Sequence, residues 1–267
     1  MPEQVYHADR TSLSSSGART LLHESPAQFL ADQLEPPDPK PVYDFGSAAH
    51  KYVLKEGAQI VEIEADTFRG ADARIKQQAA WKEGKIPLLT KDVMKAKAMA
   101  AAVTKNRWVR MLLEEGERGT PEVSGYWHDP ETGVRLRFRP DWLVWIRGQL
   151  FCVDYKTSTS ADPRKFMKSA GDFGYHQQQP WYVDGLAATG VGEARFVFIV
   201  QAKKPPFLAS VVELEREAVD LGRRLNRRAI ELYARCKADD VWPGFDDTVH
   251  TIGLPNYTVY QQEELLA

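Results

Sequence analysis

Cysteine is scarce: Cys152 and Cys236 are the two in 267 residues. That usage suits a reducing compartment such as the bacterial cytoplasm, and two thiols cannot furnish the four ligands of an iron–sulfur cluster. Charge of one sign is scarce too, with 35 Lys and Arg against 37 Asp and Glu. This argues against a coat of nucleic-acid-binding side chains but leaves room for a local basic patch. No apolar run approaches the roughly 18 residues that span a bilayer. The opening MPEQVYHADR has no apolar leader core, so no membrane role is expected. A glycine-rich phosphate loop is missing, which predicts no ATP use. Internal repeats and low-complexity tracts are absent as well. At 43% hydrophobic and 27% charged residues, the composition excludes a disordered chain, a collagen-like chain and a disulfide scaffold.

What is present divides by period. Ser14–Ser16 predicts a cap for a short helix through Leu22, and Pro26 fits the first turn of another. EPPDPKP at 35–41 predicts an extended connection. Phe45, Ala48, Ala49, Tyr52 and Val53 fall on one helical stripe with His50 at its margin. Residues 65–115 read as helical, with Thr90 as an N-cap. From 122 the period becomes two: EVSGYWH, a DPETG turn, VRLRF, DWLVWI and QLFCVDYK read as one meander of strands. Asp162-Pro163 starts a helix, and a second covers about 176–189. Strands follow at 195–201 and 207–214. Leu214, Ala218, Leu221, Leu225, Leu232 and Cys236 then mark a long helix. The fold class expected is mixed α+β, a central mixed sheet flanked by helices, in a single domain over 1–267. Its parts would be a mainly helical 1–115, a catalytic sheet with helices at 116–214, and a C-terminal helix and tail at 215–267.

The chemistry concentrates in RPDWLVWIRGQLFCVDYKTS. If Arg147-Gly148 is a two-residue hairpin turn, Ile146 pairs with Gln149 and Asp141 sits directly opposite Asp154, their Cβ atoms about 5 Å apart. Lys156 points to the same face. Two carboxylates so placed between apolar strand faces repel, so one must stay protonated or positive charge must lie between them. Lys156 neutralises part of the charge, and hard oxygen ligands without a His/Cys cluster favour Mg²⁺, with Mn²⁺ as a substitute. Folding EVSGYWH back on VRLRF brings Glu122 near residue 140, beside Asp141. The alternative is a buried Asp–Lys–Asp cluster that only fixes register. Arg135, Arg137 and Arg139 share one strand face, and between 135 and 168 eight Lys and Arg face three Asp and Glu. The strand is either a phosphate-tracking wall, with Arg137 and Arg139 as contacts, or an ordinary solvated face. Ser14, Ser16 and Arg19 at a helix N-terminus could meet a terminal phosphate. Arg223, Arg224, Arg227 and Arg228 read as a solvated face.

In the form RPD-x12-DYK, Asp141, Asp154 and Lys156 resemble the PD-(D/E)xK nuclease core, most closely its RecE-like (exonuclease VIII-like) phage and prophage branch. The resemblance runs through LSSSGARTLLHESPAQF, FGSAAHKYVL, PEVSGYW, RLRFRPDWL, YHQQQPWY and WPGF…IGLPNY, nearly the whole chain. It implies a restriction-endonuclease-like core in which Asp141, Asp154 and the Tyr155 carbonyl ligate the metal. Lys156 would activate water, His50 would be a metal ligand or phosphate contact, and Glu122 would lie near the metals. Gln178 and Tyr182 would contact the substrate strand. Pro180 departs from the family pattern and predicts a kink there. The resemblance further implies an exodeoxyribonuclease on linear duplex ends, acting 5′→3′ and leaving 3′ tails for a single-strand-annealing recombinase, often as a ring trimer or tetramer. The alternatives are a nuclease fed single strands by a separate helicase, or a non-catalytic DNA-end-binding scaffold.

Overall fold

Arg147 and Gly148 both have positive φ, 51° and 80°, the backbone that lets a two-residue turn match the twist of its strands. Around that turn the chain builds its main sheet. A computed structural model describes residues 1, 3–35 and 41–266 of the chain, without the side chains of residues 3, 4, 42, 117 and 118. The expected extended connection at 35–41 therefore lies, over 36–40, outside the described residues.

In chain order the elements are α1 (Glu3–Ala8), β1 (Leu13–Ser14), α2 (Ser15–His23), α3 (Pro26–Leu34), α4 (Pro41–Leu54), β2 (Ile60–Ile63), α5 (Ala71–Lys82), β3 (Ile86–Leu89), α6 (Thr90–Val103) and α7 (Arg107–Arg110). A π-helical turn (Met111–Glu115) leads to β4 (Glu117–Pro121), β5 (Gly125–His128), β6 (Arg135–Phe138), β7 (Trp142–Ile146), β8 (Gln149–Ser158), α8 (Pro163–Asp172) and α9 (Tyr175–Ala188). The chain closes with β9 (Ala194–Ala202), β10 (Ala209–Val212), α10 (Arg216–Asp239) and α11 (Asn256–Glu263). Five strands form one sheet in the order β10-β9-β8-β7-β4, in which β8 and β9 are parallel and the other pairs antiparallel. The α8–α9 segment is the crossover that a parallel pair requires. Leu143, Leu150, Cys152, Phe196 and Phe198 pack on one face with residues of α2, α9 and α10. Val144, Phe151, Val153, Val197 and Ile199 pack on the other with α4 and α6. Strands buried on both sides explain the near-continuous apolar runs of β8 and β9.

Several elements depart from expectation. The meander is divided: β5 and β6 pair with β1 in a separate three-stranded sheet, while β4, which the sequence pattern does not announce, edges the main one. Residues 65–115 are not wholly helical, because the fully buried IPLL of β3 pairs in parallel with β2. Leu89, not Thr90, occupies the N-cap position of α6. The buried face of α10 is Gly222, Asn226, Ala229, Ile230, Tyr233 and Cys236, rotated from the predicted leucine stripe, and Leu221 is 43% exposed. Of the arginines expected as a solvated face there, Arg223 pairs with Asp184 and Arg227 with Asp129. Pro180 does not break α9, which runs unbroken to Ala188. Its missing N–H leaves the His176 carbonyl without a helical donor. Gly222 of α10 seats against that carbonyl, so closely that a Cβ there would lie 1.7 Å from the oxygen. Among the described residues no helix is long and apolar enough to cross a membrane.

Candidate active site

The hairpin register delivers what the turn predicts. Ile146 pairs with Gln149 and Trp142 with Val153, so the next step sets Asp141 against Asp154. Asp141 Oδ2 accepts a hydrogen bond from the Tyr155 amide at 2.8 Å. Asp154, 1% exposed, accepts from Gln178 Nε2 on Oδ1 at 2.7 Å and faces Lys156 Nζ, 2.5 Å from Oδ2. Glu122 lies just past β4 in a left-handed conformation (φ 48°), and its amide donates to the Asp141 carbonyl at 3.1 Å. Its carboxylate receives Arg139 Nη2 at 2.7 Å. His50, projecting from α4, places Nε2 3.3 Å from Asp141 Oδ1 and Nδ1 3.8 Å from Glu122 Oε1. Asp141, Asp154, Lys156, Glu122 and His50 are thus gathered from four parts of the chain at one end of the sheet.

Burial is the largest influence on every member of this cluster whose pKa shifts, and charge decides where it is overcome. Burial pushes Asp154 above the usual carboxylate range, and Lys156 offsets that only in part. Burial acts on Asp141 in the same direction, yet His50, Lys156 and the Tyr155 amide hold it below its ordinary value. For His50 burial works against the charged ring, but Asp141, Glu122 and Asp154 raise its pKa to about 9. Lys156 is likewise raised by Asp154 and Asp141 against its burial. The charged forms of His50 and Lys156 are therefore both favoured beside Asp141. His50 thus adds to the positive charge that Lys156 supplies beside Asp141.

A divalent cation fits the donor chemistry all the same. Asp154 Oδ2 is buried without a hydrogen bond and has only the charge of Lys156 for company. Asp141, Asp154 and the Tyr155 carbonyl are hard oxygen donors of the kind Mg²⁺ and Mn²⁺ prefer. Among the described residues no three His, Cys, Asp or Glu side chains are gathered as a ready chelate.

His50, Glu122, Asp141 and Lys156 line a cleft of about 820 Å³, with Asp154 buried behind Lys156. One wall is the N-terminus of α2, where Ser14 caps the helix by accepting from the Gly17 amide at 3.1 Å. Arg19 projects from the same helix. Its guanidinium donates to Ser15 Oγ at 3.3 Å, and among the described residues it has no carboxylate partner. Burial lowers its pKa. Its stem lies over Gly174, whose φ of 65° and whose approach, 2.5 Å from a would-be Cβ to Arg19 Cδ, admit no side chain. Tyr182 and Tyr175 line the cleft as well, and Lys156 Nζ sits 4.9 Å over the Tyr175 ring. Tyr175 opens the YHQQQPWY segment, and its position one turn before Gln178 is the signal that could have singled it out.

Two expectations fail here. The arginine strand is no open wall, because α1 lies across it. Arg137 is 4% exposed; its guanidinium donates to the Asp9 and Ser12 carbonyls, and Tyr6 lies beneath it. As a direct phosphate contact Arg137 is therefore withdrawn. Arg139 is occupied by Glu122 and Ser124, although both arginines border the cleft. Gln178 does not reach out toward a substrate either: it is buried and holds Asp154.

The sequence profile of a family described as a PDDEXK-like domain of unknown function, DUF3799, matches residues 14–251. No curated protein matches. Among solved structures, a Eubacterium rectale protein described as a candidate exonuclease superposes with a TM-score of 0.64 at 12% identity, covering 97% of each chain. At that identity the likeness speaks for the fold. A second chain, SSO0001, covers 69% of this chain and 84% of its own at 14% identity, with a TM-score of 0.29 that carries no argument.

Proposed function

The chain belongs to the DUF3799 family of PDDEXK-like domains, and on that premise we propose that it is a metal-dependent exodeoxyribonuclease hydrolysing linear double-stranded DNA. The single observation that carries this reading is the convergence of Asp141, Asp154 and Lys156 with Glu122 and His50 at one end of the sheet, where all but buried Asp154 line one cleft. Asp141, Asp154 and the Tyr155 carbonyl would hold Mg²⁺ or Mn²⁺. A bound divalent ion neutralises charge on the attacking and leaving oxygens of a phosphodiester. Lys156 orients the attacking water and stabilises the charge that develops on the phosphoryl oxygens. Gln178 fixes the rotamer of Asp154, and Glu122 holds Arg139 beside the cleft. His50, beside Asp141, would be a further ligand of the ion or a contact for a phosphate. Ser14 and Arg19 take a terminal phosphate at the α2 N-terminus. Cutting 5′→3′, leaving 3′ tails for an annealing recombinase, and assembly into a ring of three or four copies complete the proposal.

A non-catalytic DNA-end-binding role is the second reading, favoured by the internal pairing of every carboxylate in the cluster. One experiment separates the two. Linear duplexes labelled at either end are digested with Mg²⁺ and no ATP, by the wild type and by Asp154→Ala and Lys156→Ala. We expect label release from the 5′ end by the wild type, a fall of at least about 10³-fold in both variants, and end binding largely retained. Release at the wild-type rate by either variant overturns the site, and no release by the wild type leaves the binding role.

A further inference from the structure

A second cleft, of about 340 Å³, opens beside the first. The two share a wall. Gly46 and Ser47 of α4 and Thr157 of β8 line the first, whereas Phe45 and Thr159 line the second. The two linings thus meet at neighbouring positions of α4 and around the end of β8. Thr159 follows directly on Ser158, the last residue of β8, so it lies at most roughly 11 Å of chain from Lys156.

Three ammonium groups border this second cleft, on Lys95, Lys203 and Lys204. Among the described residues none of them has a carboxylate within ion-pair reach, and Asp92 is the one acidic side chain of the lining. Lys95 is held over the Phe45 ring at 4.8 Å. Lys203 and Lys204 sit in a pinned turn: the Lys203 amide donates to Ser158 O at 2.8 Å, the Phe207 amide to Lys204 O at 2.8 Å, and buried Gln201 to Phe207 O at 3.0 Å. Phe68 supplies a half-buried ring. Ammonium groups that border one small cleft repel one another, and an anion lying among them relieves that repulsion. Spaced ammonium groups, an aromatic ring and a groove adjacent to the first cleft suit a linear polyanion whose units carry a flat ring. The volume is that of a small-molecule pocket, far too narrow for a duplex.

We propose that the second cleft holds one strand of single-stranded DNA running on from the phosphodiester in the first, with its phosphates on Lys95, Lys203 and Lys204 and a base on Phe68. The inference rests on the nuclease reading for its polarity but makes its own claim about binding.

The test is fluorescence anisotropy of the full chain with labelled oligo-dT of four and twelve nucleotides, in EDTA so that nothing is cut. The triple variant Lys95→Ala/Lys203→Ala/Lys204→Ala should weaken the twelve-nucleotide strand by roughly tenfold or more. It should also reduce its salt slope by about 2, at about 0.7 per phosphate, with the four-nucleotide strand little affected. Removing three other exposed lysines, Lys55, Lys76 and Lys237, should do neither. Lys204 is exposed, so Lys204→Glu tests the same contact without threatening the fold. Unchanged affinity and slope in the triple variant, or equal losses in the control, overturn the proposal. A wild type that releases no nucleotide in Mg²⁺ yet shows the lysine-dependent loss defeats the nuclease reading and leaves this one standing.

Discussion

Gln178 gives its amide to a carboxylate with almost no water around it, and that makes it costly to remove. Gln178→Ala should cost about 1–3 kcal/mol, because Asp154 Oδ1 would be left buried without its donor. Thermal melting should show the loss, and nucleotide release should fall more through kcat than through KM. Asp44 offers a test away from the cluster. It is 9% exposed, accepts from Trp81 Nε1 at 3.1 Å, and burial raises its pKa from 3.8 to about 6. A carboxyl whose folded pKa lies above its unfolded value contributes stability that is fully present below pH 3.8 and is lost as pH rises through about 6. Asp44→Asn should therefore stabilise the chain at pH 8 by on the order of 2 kcal/mol and hardly at all at pH 4, as paired melting curves would register. A pH-independent change would return the effect to packing.

At the scale of elements, the seat of α10 on α9 is the sharpest constraint. Gly222→Ala drives a methyl into the His176 carbonyl, and helix backbones cannot yield as a side-chain tip can. A loss of about 2–3 kcal/mol in denaturant titration is expected; a neutral variant would mean the helices slide freely. This contact also explains what the sequence could not disclose. The buried face of α10 also takes in Gly222 and Asn226, neither of which reads as apolar, so of the predicted stripe Cys236 and Leu232 reach the core while Leu221 stays exposed. The β7–β8 pairing was legible because the turn, the alternation and the two Asp positions all lie close together in the chain. The arginine strand was half legible: alternation shows that Arg135, Arg137 and Arg139 share a face, but not that Asp9 and Ser12, more than 120 residues earlier, occupy Arg137. The four residues of β3 are too few to display any period against the helices around them. The pairing of His50 with Asp141 joins α4 to the sheet across some ninety residues, and no local pattern encodes it.

For the molecule as a whole, the reactive groups are not mounted on a loose loop. Cys152 and Val153, immediately before Asp154, are 0% exposed, and β8 is flanked by β7 and β9. The amide of Tyr155, closed onto Asp141, belongs to that same block. This amide is freed when the Asp141 carboxylate lets go of it, and with that carboxylate carried on the residue before β7 its deuterium uptake should be slow while the β7–β8 pair holds. Warming should accordingly leave turnover intact until the fold itself gives way, with inactivation and unfolding midpoints superimposed. Inactivation well before that point would reveal an independently fraying centre.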